Sequence, residues 1–290
     1  MTLNRLLILL RDIDSWGLRM TSIVLALTFF MHASQSSGHT PPVVKGVLLE
    51  DLTWLQAEKA LTPDTVVVIP LGAAAKEHGP HLKLKNDWLM AEYLKHRIVE
   101  KANVVVAPTI NYGFYPAFVE YPGSTSLRLE TSRDMIVDIC RSLARFGPRR
   151  FYVLNTGIST LRALAPAAES LLSNGIILRY TDLRVTETVE KQIRRGPGGT
   201  HAEEIETSMM LYIAPETVEM SKAVKDYQPD SSAGALTRDP NGRGIYSPSG
   251  IWGDATLATR DKGQAVTEAL ISAILEEIEL LAKSPIPPTK

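Results

Sequence analysis

The feature that most constrains the fold is an alternation of short β-branched runs with segments in which apolar residues recur every three or four positions. The β-branched runs cover residues 65–71, 103–108, 150–154 and 176–180. The segments between them have the spacing of amphipathic helices and cover residues 87–99, 130–146 and 161–174. Strand–helix–strand units at this interval predict a mainly parallel sheet covered by helices. We therefore expect an α/β fold.

Composition excludes several functional classes. The chain has 290 residues, a formal net charge of −1, 44% hydrophobic and 22% charged residues, which is typical of a folded domain. Because no basic excess or stripe is present, we expect no nucleic-acid partner. The single cysteine, Cys140, rules out an internal disulfide and a cysteine-based zinc site. Its apolar neighbours at helical spacing predict a place in the core.

The N-terminal region has the pattern of an export signal. Residues 20–33 are uncharged but shorter than the about 20 residues that span a bilayer, so we expect no stable membrane span. A basic residue precedes this stretch, and small and polar residues follow it. We predict a leader at 1–38, an exported domain at 45–283 and a tail at 284–290. An ordinary N-terminal helix would instead imply a cytoplasmic protein, and either Met1 or Met20 fits as the start.

A first group of metal-ligand residue types follows the apolar run at 65–71. Glu77, His78, His81 and Asp87 lie within eleven residues of one another. A strand that ends in small residues and then presents carboxylates and imidazoles places them at the carboxyl edge of the sheet, where open α/β folds bind ligands. Asp87 taken alone would also suit the first turn of the following helix.

A second group opens a later helix. We expect His201 and Glu204, three residues apart, to share one helix face. Mixed imidazole and carboxylate sets bind zinc, manganese or iron. A single pair of this kind is more often a surface salt bridge, but two groups together favour an open catalytic metal site, where the ion activates water.

These residues belong to longer phrases that resemble the creatininase family of metal-dependent amide hydrolases. The resemblance runs from about residue 52 to 276. The phrases that carry it are residues 70–72 with 77–82 and Asp87, then 121–127, 142–147, 201–204 with 206–208, and 249–254.

The resemblance implies a three-layer α/β/α sandwich with a mainly parallel central sheet, often assembled as homo-oligomers, in particular hexamers. It also implies one or two divalent ions (zinc, manganese or iron) and hydrolysis of a C–N bond. The substrate would be a small amide, cyclic amide, formamide or short peptide.

Residue roles follow from the same resemblance. We expect metal ligation by Glu77, His78, Asp87 and Glu204. Asp87 corresponds to a ligand that bridges two ions. We expect catalytic roles for His201 and Glu203, and substrate contacts from His81, Ser124 and Trp252.

Two departures from the family pattern affect the expected site. Lys76 stands where the family has glutamate, with one extra residue in the loop, so Glu77 substitutes only if the loop bulges. Gly157 stands where the family takes a histidine ligand. These changes fit one ion instead of two, or weak binding. Lys76 either replaces a lost cation or points outward.

Three functions therefore stay open. The first is hydrolysis of a C–N bond, and the second is a degenerate relative that binds a small ligand without turnover. A lactone or ester hydrolase is the third, and no Gly-x-Ser-x-Gly motif is present to support a serine nucleophile.

Overall fold

Five parallel strands form the central sheet of the computed structural model, which describes residues 45–228 and 234–288. The strands are β1 (Val47–Leu48), β2 (Val66–Leu71), β3 (Val105–Val106), β4 (Arg150–Asn155) and β5 (Ile177–Tyr180). Their order across the sheet is β1-β3-β2-β4-β5, and each adjacent pair runs parallel. The predicted leader at 1–38 lies outside the described residues.

Helices cover both faces of this sheet. They are α1 (Trp54–Ala60), α2 (Asn86–Lys101), α3 (Leu129–Ala144), α4 (Leu161–Leu172), α5 (Glu187–Ile193), α6 (Glu204–Ile213) and α7 (Arg260–Lys283). Two small strand pairs lie outside the main sheet. They join β6 (Lys225–Asp226) with β9 (Gly253–Asp254), and β7 (Leu236–Thr237) with β8 (Ile245–Tyr246).

The strand period of two divides the core into two layers. On β2, Val66 and Val68 face a cluster that includes Leu94 of α2 and residues of α6 and α7. The intervening residues of β2 face a second cluster, which includes Ile136 of α3 and Leu164 of α4. The predicted three-layer α/β/α sandwich is therefore confirmed.

Strand β2 occupies the centre of the sheet and is fully buried. Burial on both faces explains its continuous apolar run, which is typical of parallel sheets. Because β2 is held by β3 and β4 on its two sides, the loop that leaves its carboxyl end starts from a rigid position. Cys140 is buried in α3, as predicted.

Within the described part of the chain, no helix combines the length and the apolar character needed to cross a membrane.

Candidate metal centre

The candidate site lies where the loop after β2 meets the segment before α6. Gly72 allows this loop to pass close to α2, because a Cβ at this position would lie 2.3 Å from the carbonyl oxygen of Asp87. The Trp88 amide donates to the carbonyl of Ala73 at 3.0 Å, which fixes the start of α2 against the loop. The local fold therefore brings residues 76–78 and Asp87 to one point at the carboxyl edge of the sheet.

Three side chains there are grouped as ligands of one ion would be. His78, His201 and Glu206 each offer a ligand atom, and the three atoms lie within 4.8 Å of one another. Nε2 of His78 is 3.3 Å from Oε1 of Glu206, and Nδ1 of His201 is 3.8 Å from Oε2. Both imidazoles are buried. Two imidazoles and a carboxylate are a donor set that zinc, manganese and iron accept.

His78 is oriented through its own loop. Its Nδ1 donates to the carbonyl oxygen of Lys76 at 2.9 Å, so Nε2 faces the carboxylates. Burial and the ammonium of Lys76 lower its pKa, but the carboxylates of Asp87 and Glu206 outweigh them and raise the pKa to about 9. The metal-free imidazole is therefore protonated at neutral pH. Metal binding would release that proton.

His201 is held through its other nitrogen. Its Nε2 lies 2.7 Å from Oε1 of Glu77, which leaves Nδ1 facing Glu206. Glu77 is fixed in turn, because its Oε2 accepts from the Gly79 amide at 2.8 Å. The Glu77 amide donates to Oγ of Ser124 at 2.9 Å. Such outer contacts set the tautomer and orientation of a ligating histidine.

Glu206 lies in the first turn of α6, where the helix dipole favours a negative charge. Its Oε2 accepts from the Ala202 amide at 2.7 Å and its Oε1 from Nδ2 of Asn86 at 3.3 Å. Burial raises the pKa of Glu206, but His78 and the other neighbouring positive groups lower it by more, so the pKa lies well below its ordinary value. This carboxylate is therefore ionised at neutral pH.

Asp87 joins the site to Lys76. One carboxylate oxygen is 2.8 Å from Nε2 of His78, and the other is 2.7 Å from Nζ of Lys76. Burial raises the pKa of Asp87, but Lys76 and His78 lower it by more than burial raises it, so the pKa of Asp87 lies below its ordinary value. Lys76 points inward, which decides between the two orientations considered for it.

Glu204 lies elsewhere than the sequence suggested. Its carboxylate pairs with Lys262 and accepts from the amides of Arg195 and Gly196, at 3.0 and 2.6 Å. The expected spacing from His201 does not apply, because α6 begins only at Glu204 and Ala202 has a φ of 50°. The structure thus places Glu206 beside the two histidines and directs Glu204 away from them.

The other predicted residues surround the histidines. Oε2 of Glu203 accepts from Arg194 at 3.1 Å and from the Ile205 amide at 2.9 Å. The Trp252 amide donates to the carbonyl of His201 at 2.9 Å, and the buried Trp252 Nε1 has no hydrogen-bond partner among the described residues. His81 Nε2 is 2.7 Å from Oγ1 of Thr207, and its Nδ1 is likewise unpartnered in the described part of the chain.

The family model described as creatininase, creatinine amidohydrolase, matches residues 50–278. The chain belongs to the creatininase family. Because the match covers most of the chain, the family prediction made from sequence phrases is confirmed.

Three curated relatives are similar to this chain over most of its length. Creatinine amidohydrolase of Pseudomonas putida is 28% identical over 270 residues, covering 84% of this chain and 99% of the relative. Mycofactocin precursor peptide peptidase of Mycolicibacterium smegmatis is 26% identical, and the match covers 74% of this chain and 84% of the relative. The 3-dehydro-scyllo-inosose hydrolase of Thermotoga maritima is also 26% identical, and the match covers 78% of this chain and 80% of the relative. All three are named as hydrolytic enzymes, with different substrates.

Solved creatininase structures share the architecture. The crystal structure of creatinine amidohydrolase superposes with a TM-score of 0.69 at 25% identity and covers 83% of this chain and all of that chain. A mutant creatininase of the Zn-Zn type and a structure described as creatininase Mn have the same identity and coverage, with TM-scores of 0.68 and 0.67.

Proposed function

We propose that this protein is a metal-dependent hydrolase that cleaves a C–N bond in a small amide, cyclic amide or formamide. The observation that carries the proposal is the convergence of His78, His201 and Glu206 at the carboxyl edge of the sheet. The match to the creatininase family over residues 50–278 supports hydrolysis as the reaction class. The relatives named as an amidohydrolase and a peptidase support a C–N bond as the target.

The ligand set fits a divalent ion, and zinc or manganese is supported by the solved creatininase structures described with those metals. When bound, such an ion polarises a carbonyl group and lowers the pKa of water. His78, His201 and Glu206 would hold it. The Lys76 carbonyl orients His78 through Nδ1, and Glu77 orients His201 through Nε2. Asp87 lies 2.8 Å from the Nε2 of His78 that would face the ion.

Substrate binding is proposed for His81, Ser124 and Trp252. The indole N–H of Trp252 and Nδ1 of His81 are buried polar atoms without partners in the described residues, and a ligand could satisfy them. Ser124 acts on the site through the Glu77 amide. Trp252 is the best placed of the three, because its backbone pairs with that of His201.

Catalytic roles for His201 and Glu203 stay predictions. Burial raises the pKa of Glu203 to about 7, and the nearby Arg194 only partly opposes this shift. A group with a pKa near 7 suits proton transfer. However, the contacts of Glu203 with Arg194 and the start of α6 equally suit a positioning role.

The test compares hydrolysis by chelator-treated protein with hydrolysis after zinc or manganese is restored. The panel comprises creatinine, a cyclic imide, N-formylated amines and short peptides. We expect turnover of one class that depends on added metal and is lost in His78→Ala. The matched control is His96→Ala, which removes an exposed histidine of α2. Metal-independent turnover, or turnover that survives in His78→Ala, would contradict the proposal.

A second function is favoured by two features of the site. Gly157 offers no side chain and Lys76 pairs with one oxygen of Asp87, and both features favour a family member that binds a small ligand without turnover. In that case, metal and a panel compound would bind, measured by calorimetry, while no member of the panel is hydrolysed.

Export and assembly are also proposals. Exported protein should begin near residues 34–38, as measured by N-terminal sequencing, and mature protein that begins at Met1 would contradict this. A homo-oligomer, a hexamer on the family resemblance, should appear in light scattering of the purified protein.

A further inference from the structure

A buried lysine lies inside the proposed metal site. Lys76 is only 5% exposed, and its ammonium is 2.7 Å from Oδ2 of Asp87. Burying a charge is costly unless an opposite charge compensates it. The Asp87 carboxylate supplies that compensation, and burial leaves the ammonium little freedom to move to solvent.

Aromatic rings complete the enclosure of this ammonium. Nζ of Lys76 lies 4.7 Å from the ring centroid of Phe118 and 5.7 Å from that of Tyr115, within the range of cation–π attraction. The Lys76 amide also donates to the carbonyl of Leu84 at 3.0 Å, which fixes the loop. The position beside Asp87 is therefore built around a cation that the chain itself provides.

The surroundings of Gly157 leave little room for a side chain at that position. A Cβ added there would lie 3.3 Å from Cε1 of Tyr115 and 3.4 Å from Oγ1 of Thr160. A longer side chain would compete with the buried Tyr115 ring for space. The ring of Tyr115 thus lies beside both the Lys76 ammonium and the position that a side-chain Cβ at residue 157 would take.

The charges of the buried site also limit the number of divalent ions it can hold. Glu77, Asp87 and Glu206 bring three carboxylates to the site, and Lys76 brings one ammonium. One divalent ion would neutralise the remaining two negative charges. A second divalent ion would leave a net charge of two in a buried site, which is strongly unfavourable.

We infer that the ammonium of Lys76 occupies the place beside Asp87 that a second metal ion would need, and that the site therefore takes a single divalent ion. This inference rests on the proposed metal-dependent function. It makes Lys76 a fixed, non-exchangeable cation of the centre.

The experiment measures bound metal by equilibrium dialysis against zinc chloride or manganese chloride, followed by elemental analysis. The parent should saturate at one equivalent. Lys76→Met, which removes the charge, should bind its first equivalent at least tenfold more tightly and take up further metal at high concentration. Lys76→Arg, which keeps the charge, should stay at one equivalent.

Lys95→Met is the matched control. Lys95 is also 5% exposed and is paired with Glu50 and Glu92, outside the metal site. Its replacement should change neither stoichiometry nor affinity. Where Lys76→Met does not fold, Lys76→Gln provides an uncharged alternative with a hydrogen-bond donor.

The outcomes separate this inference from the proposed function. Two equivalents in the parent, or identical binding by the parent and the uncharged variant, would overturn the inference and leave the function standing. Absence of metal from the parent and from every variant would overturn the proposed function, and the inference with it.

Discussion

Replacing Asp87 with asparagine should strongly destabilise the metal-free protein. The substitution keeps the shape of the side chain and removes its charge, while Lys76 keeps its ammonium in a buried position. The two charges are 2.7 Å apart, and their side chains are 0% and 6% exposed. At an effective dielectric constant of about 20, their attraction is about 6 kcal/mol.

The Lys76 ammonium keeps part of its electrostatic stabilisation in the variant, because Glu206 also favours its charged form. Loss of one partner from a buried pair typically costs about 3–5 kcal/mol, and we expect the lower end of that range. The assay is urea unfolding of the parent and Asp87→Asn in the presence of a chelator, followed by circular dichroism.

The matched control is Glu187→Gln. Glu187 pairs with Lys191 at the same 2.7 Å, but the two side chains are 59% and 71% exposed. Exposed pairs contribute little to stability, so this variant should unfold at the same urea concentration as the parent. The double variant Lys76→Met, Asp87→Asn should be more stable than Asp87→Asn alone, because it no longer buries an unpaired charge. A single variant as stable as the parent would refute the reasoning.

Three further predictions concern neighbours of the site. Burial lowers the pKa of His81 from 6.5 to about 4. As the pH falls from 6.5 to about 4, the imidazole is therefore protonated in the unfolded chain but stays neutral in the folded one. The parent should lose about 3 kcal/mol more stability than His81→Asn between pH 7 and pH 4 in urea titrations, and parallel losses would contradict this. Gly250→Ala should weaken zinc affinity, because its Cβ would lie 2.1 Å from Oε2 of Glu77, whereas Gly123→Ala, also at positive φ, would meet only a flexible leucine side chain. Trp252→Phe removes the unpartnered N–H and should weaken binding of a panel substrate without changing the melting temperature.

The fold could be predicted because its signals are local and repeated. Strands expected at 65–71, 150–154 and 176–180 are observed at Val66–Leu71, Arg150–Asn155 and Ile177–Tyr180. Buried parallel strands carry continuous apolar runs, which are visible in a single sequence. The edge strand β1 is only two residues long, so it leaves no such signal.

The site was predicted less completely, for a geometric reason. Helical spacing does not hold from His201 onward, because the helix starts three residues later, after a turn in which Ala202 has positive φ. Glu206 therefore joins the histidines in the place where Glu204 was expected. The phrase 206–208 resembled the family and was a usable signal for it.

The direction of Lys76 could not be predicted either. It lies in an irregular loop, where no period relates side chains to faces. Its inward direction follows from the contact with Asp87 and from the rings of Phe118 and Tyr115, which come from distant parts of the sequence.

The most direct test of the metal centre is the zinc affinity of Glu206→Gln beside that of Glu204→Gln, measured by competition with a chromogenic chelator. The two glutamates lie in the same turn of α6, but only Glu206 faces His78 and His201. We predict at least a hundredfold loss of affinity in Glu206→Gln and an affinity within threefold of the parent in Glu204→Gln. The reverse order, or equal affinities in both variants, would contradict the proposed centre.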